Sequence, residues 1–249
     1  MGKWLIKVEY KKIITDDGSH TLFSSKYNQT YHSIKDGAIK ESLYKHIYPA
    51  LNHHKDKQHL RILDICFGLG YNTFLTILEN LKSDNPKRIE IFSPELDIDL
   101  IRSLETFEYP KEFESIKDII VQIARNLYYE DEYHKIEVST MDAREYIKTL
   151  ENIDVVYQDA FSSDVNKELW TVEYFSNINK ATNEDSVITT YTISTNVRLS
   201  MSENKFLIYQ IENSETKKST LAFKKTQNKY KFIDMELKKL RNQTAKPIY

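Results

Sequence analysis

Asp64, Gly68 and Gly70 stand together in RILDICFGLGYNTFL (residues 61–75), an acid and two glycines followed by a helical pattern. Two Cβ atoms are missing where a strand turns into a helix, so the turn can be tight and its backbone open to a ligand. The dinucleotide fingerprint wants a third glycine where this chain has Thr73, and no lysine follows in the P-loop pattern. A carboxylate at Asp64 would repel a diphosphate. The same charge favours a ligand carrying an ammonium and a sulfonium. S-adenosylmethionine is such a ligand, and its carboxylate can meet the N–H groups at the helix start. A phosphate cradle is the weaker reading.

Further acids fall at the ends of later strands. The run RIEIFS (88–93) leads into SPELD, which puts Glu95 or Asp97 beyond the strand. An acid there can accept from both ribose hydroxyls, in nicotinamide and adenosylmethionine folds alike. MDAREYI offers Asp142 either as an acceptor for an adenine amino group or as the N-cap of a helix starting at Ala143. In DVVYQDAFSSDVNKELWTVEYF (154–175), Asp159 ends a buried strand and is followed by Ala160, Phe161 and Ser162. A carboxylate so placed can orient an amine and accept its proton, or simply cap the loop. His53, His54 and His59 raise a metal reading, but no nearby cysteine completes a closed site. They read as a surface linker, and no metal is expected. The aromatic stretch NLYYEDEYH (126–134) could stack on an exposed base. As an amphipathic cover it would instead turn acids outward that repel phosphate.

The elements that must hold these residues alternate. A strand at Trp4-Leu5-Ile6-Lys7-Val8 and a hairpin turning at Asp17-Gly18 come first. A helix over Gly37–Leu51 then stops at a proline. Strands at 60–66, 88–93, 135–140, 154–160 and 186–192 alternate with helices, the first from about Tyr71 and the next from about Asp99. Residues 107–133 read as a helical insertion, and FLIYQIEN and STLAFKK as a closing antiparallel pair. This is an α/β pattern: a mostly parallel, doubly wound sheet with an antiparallel C-terminal strand and a small N-terminal β/α decoration. Residues 1–55 form the decoration that covers the site and 56–249 the core, together one structural unit.

The 249 residues suit one large domain. The first thirty do not resemble a signal peptide, and no apolar run nears the ~20 residues that span a bilayer. A single cysteine fits a reducing compartment. A soluble, monomeric, cytoplasmic protein without a membrane partner is expected. Net charge is −2, yet from Lys217 onward lysines dominate. That basic end could meet phosphates, or be a solvated edge.

Three motifs in order, GSHTLFSSKYNQTYHSIKDGAIKES, ILDICFGLGYNT and DVVYQDAFSSDVNKELWT, resemble the methyltransferase half of the MnmC-type tRNA modification family. The resemblance runs from about Asp16 to Lys225. It implies a class I Rossmann-like, S-adenosylmethionine-dependent methyltransferase acting on the primary amine of 5-aminomethyl-(2-thio)uridine at the tRNA wobble position. Its partner would be the tRNA anticodon arm. Carried over, it implicates Gly68, Gly70 and Asn72 in the turn, Glu95 at the ribose and Asp142 at the adenine. Asp159, Phe161 and Ser162 would line the reaction centre. The pattern YHS…GA…E matches Tyr31, His32, Ser33, Gly37, Ala38 and Glu41, implying an N-terminal element folded over the cofactor with Glu41 near its methionine end. The chain departs from the family at Cys66, at Asn183–Ser186 and at Asn204 or Lys205, where glycines are usual. The flavin-dependent half of bifunctional relatives has no counterpart here, so a separate enzyme would supply the aminomethyl group.

Two rival readings follow from the same residues. An acid-rich crevice would suit a polyamine aminopropyltransferase, and a noncatalytic RNA-binding module could keep the fold. A nicotinamide oxidoreductase fits Thr73 and Asp64 less well.

Overall fold

The computed structural model describes residues 10–249, so the strand expected at Trp4–Val8 lies outside the described residues. Strands β1 (Tyr10–Ile14) and β2 (His20–Ser24) pair antiparallel, and β3 (Gln29–Thr30) adds to β2. Their turn falls at Asp17-Gly18 as expected. Asp17 accepts hydrogen bonds from Ser19 N (3.0 Å) within the turn and from Lys40 N (2.9 Å) on the following helix. One carboxylate thus fastens the hairpin to its neighbour.

That helix is a single run of three pieces: α1 (Ala38–Glu41), a π-helical stretch (Ser42–Ile47) and α2 (Tyr48–His53). It does not stop at Pro49, contrary to the sequence reading. A proline inside a helix lacks the N–H for the bond one turn back, and its ring presses on that carbonyl. The widened turn just before Pro49 gives the ring room, so the helix continues.

The core follows the predicted alternation. Its elements are β4 (His59–Ile65), α3 (Tyr71–Leu81), β5 (Arg88–Pro94), α4 (Ile98–Ser103), α5 (Lys117–Asn126), β6 (Tyr128–Glu130) and β7 (His134–Ser139). There follow α6 (Ala143–Tyr146), β8 (Ile153–Gln158), α7 (Val172–Ala181), β9 (Thr182–Thr190) and α8 (Thr195–Glu203). The chain closes with β10 (Leu207–Ile211), β11 (Ser219–Phe223), β12 (Lys231–Phe232) and α9 (Met235–Arg241). The sheet runs β12-β10-β11-β9-β8-β4-β5-β7-β6. Strands β9, β8, β4, β5 and β7 are parallel neighbours, whereas β6, β10, β11 and β12 join by antiparallel pairing. The insertion at 107–133 is therefore only partly helical, because it returns as edge strand β6.

Buried runs such as Ile153–Gln158 place apolar side chains on both faces. One cluster (Ile62, Phe74, Ile91, Ile123) also takes in Leu22, Ala38 and Ile47 from the N-terminal elements, and the other (Leu63, Trp170, Phe175, Ile188) fills the opposite face. Chain order reverses at β4, which pairs with β5 on one side and β8 on the other. A crevice opens there beyond the carboxyl ends. No helix among the described residues is long and apolar enough to cross a membrane.

Candidate active site

The turn after β4 is wound left-handed at Cys66, Gly68 and Gly70, with φ of 66°, 52° and 71°. The two glycines serve different ends. A Cβ on Gly70 would fall 2.4 Å from the Phe74 ring, so that glycine is demanded by packing inside the protein. On Gly68 it would fall 3.1 Å from the Tyr31 ring, on the side of a cavity of about 640 Å3. That volume suits a small-molecule cleft. Gly68, Asn72, Glu95, Asp142, Asp159, Phe161, Ser162, Tyr31 and Glu41 all line it. Asp64 and Gly70, expected from sequence to contact the cofactor, are not among the residues that line it.

Asp64 lies beneath the wall. It is buried, and its Oδ2 accepts from Thr73 Oγ1 (2.8 Å) while its Oδ1 faces Asn72 Nδ2 (3.4 Å). Burial pushes its carboxyl up to about 7, with Asp159 adding to the rise and Thr73 opposing it. It is thus a weaker fixed anion than the sequence alone suggests. Asn72 Nδ2 also donates to Asp159 Oδ2 (2.9 Å). With Nδ2 given to the acids, Asn72 Oδ1 is buried without a partner, in a residue that lines the cavity.

At the β5 end, Glu95 accepts from Gly68 N (3.0 Å) and Asp97 N (2.9 Å), bracing the bare turn. Burial raises its carboxyl above the usual range. Asp97 is occupied in structure: it caps α4 at Leu100 N (2.9 Å) and accepts from the Tyr10 hydroxyl. Asp142 is likewise the N-cap of α6, accepting from Arg144 N (2.8 Å), and the Arg144 guanidinium holds its carboxyl below the usual range. Its side chain still stands at the cavity rim.

The far end gathers residues from four elements. Asp159 follows β8; Phe161 packs against Tyr31 and Tyr27 at ring distances of 5.0 and 4.7 Å. Ser162 Oγ accepts from Gln29 Nε2 (2.7 Å), and Ser162 N donates to Gln29 Oε1 (3.3 Å), so β3 clips the loop in place. Glu41 is buried, accepting from Ser33 N and Lys45 Nζ (both 2.8 Å), with His32 at 3.7 Å. Burial alone would raise its carboxyl, but His32 and Lys45 outweigh that and hold it at about 2. Around the cavity, carboxylates outnumber the cations Lys26 and His32. A cationic ligand suits such walls. These residues fit S-adenosylmethionine.

Sequence reading missed His46, Gln29, Tyr27 and Tyr191. His46 is fully buried at 3.6 Å from Asp159, and Tyr191 lines the wall while donating to Ala160 O (3.0 Å). At ordinary helical spacing Glu41 and His46 would not share a face; the π-helical stretch between them changes that. The histidines singled out are otherwise employed. His53, His54 and His59 each bond a different acceptor, and His54 is buried against Asp154 O (3.1 Å), so this is no plain surface linker. No cluster of metal ligands occurs among the described residues. A second recess of about 620 Å3 shares Ser33, Glu41 and Tyr191 with the first, and Lys217 and Lys218 line it.

Known proteins are similar to this chain. Residues 109–226 match a family described as S-adenosyl-L-methionine-dependent methyltransferase. The crystal structure of MnmC2 from Aquifex aeolicus is similar at a TM-score of 0.85 and 30% identity, over 98% of this chain and 80% of that one. An uncharacterised protein of Methanocaldococcus jannaschii is 30% identical over 88% of this chain and 61% of its own length. The tRNA 5-methylaminomethyl-2-thiouridine biosynthesis bifunctional protein MnmC of Campylobacter jejuni is 23% identical over 90% of this chain, which spans 38% of that protein. The chain thus covers less than two thirds of these curated relatives. Its likeness to the Aquifex structure, by contrast, extends over nearly every residue, and on that ground the chain belongs to the MnmC2 family of S-adenosylmethionine-dependent methyltransferases.

Proposed function

We propose that this methyltransferase acts on the primary amine of 5-aminomethyl-(2-thio)uridine at the wobble position of tRNA, in the cytoplasm. The observation that carries the reading is Asp159. It stands at the end of β8, beside Asn72, in a cavity where carboxylates outnumber cations and several aromatic rings line the wall. A carboxylate there draws in an alkylammonium and orients it. S-adenosylmethionine, when bound, supplies a methyl group on a positively charged sulfur that is already a good leaving group.

The chain's own task is then positioning. Holding the amine in line with the methyl can supply ~7–11 kcal/mol of the barrier. In this reading Glu95 holds the ribose hydroxyls, Asp142 the adenine, and Asn72 Oδ1 with Glu41 the methionine end. Gly68 and Gly70 shape the turn, with Asp64 behind it and Tyr31 above it. Phe161 and Ser162 border the amine, and the Tyr27–Phe161 pair offers faces on which a splayed base can stack. Lysines from Lys217 onward are the candidates for phosphate contact with the anticodon arm.

The test is to incubate the purified protein with labelled S-adenosylmethionine and tRNA carrying 5-aminomethyluridine, in parallel with putrescine, and to resolve the products by nucleoside mass spectrometry. One methyl group on the side-chain nitrogen of the wobble uridine is expected. Label in the polyamine, or in another nucleoside, would contradict the reading.

A further inference from the structure

An alkylammonium is mostly protonated at neutral pH, and a carboxylate beside it strengthens that state. Asp159 therefore attracts the amine but does not by itself make it a nucleophile. The structure holds a second acceptor directly behind. His46 is fully buried, its Nδ1 lies 2.8 Å from Thr189 Oγ1, and its Nε2 lies 3.6 Å from Asp159 Oδ1 with no hydrogen-bond partner. Thr189 Oγ1 donates to Val156 O (3.4 Å), which leaves its lone pairs to accept from Nδ1–H. With the proton on Nδ1, Nε2 presents a lone pair toward Asp159.

We propose that His46 is a positioning residue for proton removal: acting through Asp159, it takes up the proton that the substrate ammonium must lose before methylation. This rests on the functional reading above. The ammonium N–H passes its proton to Asp159 Oδ1, which hands it to His46 Nε2, leaving a neutral amine, a carboxylate and an imidazolium. The amine lone pair then forms the nitrogen–carbon bond as the carbon–sulfur bond of the donor breaks, and sulfur keeps the electron pair. Product leaves as a secondary ammonium, and the imidazolium proton returns to solvent. Imidazoles titrate nearer neutral pH than carboxylates do, which matches an acceptor to its task. Hydrogen bonds of this kind are often long without substrate and tighten when it binds.

The charged and titratable surroundings are few. Tyr157 of β8 packs its ring edge-on to His46 at 5.8 Å. Behind Asp159 lies Asp64 of β4; His32 and Tyr191 also feel the Asp159 charge. On the helix itself, Glu41 is paired with Lys45, which also holds Asp36. Within this set His46 turns an unpartnered ring nitrogen toward Asp159, whereas the unpartnered Nδ1 of His32 lies 3.7 Å from Glu41.

Histidine-selective nitrogen NMR of the ligand-free protein tests the starting state. The expected result is a His46 ring carrying its neutral-form proton on Nδ1. A ring that keeps Nε2–H throughout would make His46 a simple donor to Asp159 and overturn the proposal. Single-turnover methylation tests the consequence. His46→Asn should lose roughly 10–100-fold at pH 7 and recover as pH approaches that of the free amine. Thr189→Val, which fills the same volume, should lose rate in the same pH-dependent way if His46→Asn does not fold. A loss equal at every pH overturns the role. Should wild-type protein leave aminomethyluridine tRNA unmethylated, the functional reading itself fails and this proposal with it; a rigid Nε2–H tautomer in an active enzyme would remove only His46.

Discussion

Asp64 and Gly70 look from sequence like ligand contacts, and both turn out to work inside the protein. A buried acid whose pKa rises to about 7 binds a proton in the folded state where the unfolded chain does not. Its contribution to stability therefore falls as pH climbs from about 4 to 7 and is flat above. Urea unfolding of wild type and Asp64→Asn across that window should show wild type losing on the order of 4 kcal/mol relative to the variant. A constant difference would contradict the assignment. The glycines separate in the same experiment. Gly70→Ala, at φ 71° and against Phe74, should cost roughly 2–4 kcal/mol. Gly68→Ala should cost about half of that or less, yet weaken S-adenosylmethionine binding because its new methyl faces Tyr31 and the cavity. Equal effects on stability and binding at both positions would contradict this division. The departures from the family glycine pattern become clear at this scale. Cys66, where the resemblance leads one to expect glycine, and Lys205, one of two candidates for a second such position beside Asn204, both hold left-handed backbone, φ 66° each. Sequence showed that a glycine was missing but not which backbone angle the residue in its place would adopt.

Strand-to-helix alternation was legible at the element scale because each core strand is a short apolar run set off by turn residues, and β4, β5, β7, β8 and β9 fall where the pattern places them. Three features were not. The continuation of the helix through Pro49 depends on a π-helical stretch, which has no simple residue signature. Strand β6 is three residues at a sheet edge, too short to show a period. The two-residue strand β3 is defined by its partners, and its importance lies in Gln29. Two hydrogen bonds from Gln29 hold Ser162 and with it the loop that carries Phe161. Gln29→Ala should lower stability by only about 1–2 kcal/mol, since the pair is half-buried. Turnover should fall much further than the affinity for S-adenosylmethionine, measured by single-turnover kinetics and calorimetry. Parallel losses in both would mean that the clip shapes the whole cavity rather than the acceptor end.

Across the whole molecule, the site exists because the sheet order reverses at β4 and the N-terminal hairpin and helix close over the gap. Sequence motifs from three distant stretches marked most of the cavity wall, since strand ends and a glycine turn leave local signs. What long-range folding adds, namely His46 against Asp159 and Gln29 against Ser162, spans separations that no local pattern encodes. The acidic cavity and the lysine-rich end differ in charge, and under the proposed function the nucleoside amine would enter among carboxylates while phosphates stayed outside. The central claim is that carboxylates around a bare backbone turn hold a positively charged methyl donor. Calorimetric titration with S-adenosylmethionine and with NAD, on wild type and on Glu95→Gln, tests it most directly. S-adenosylmethionine should bind wild type, lose roughly tenfold or more in affinity on Glu95→Gln, and have no competitor in NAD. Binding of NAD at this cavity, or an affinity for the methyl donor untouched by Glu95→Gln, would contradict the account.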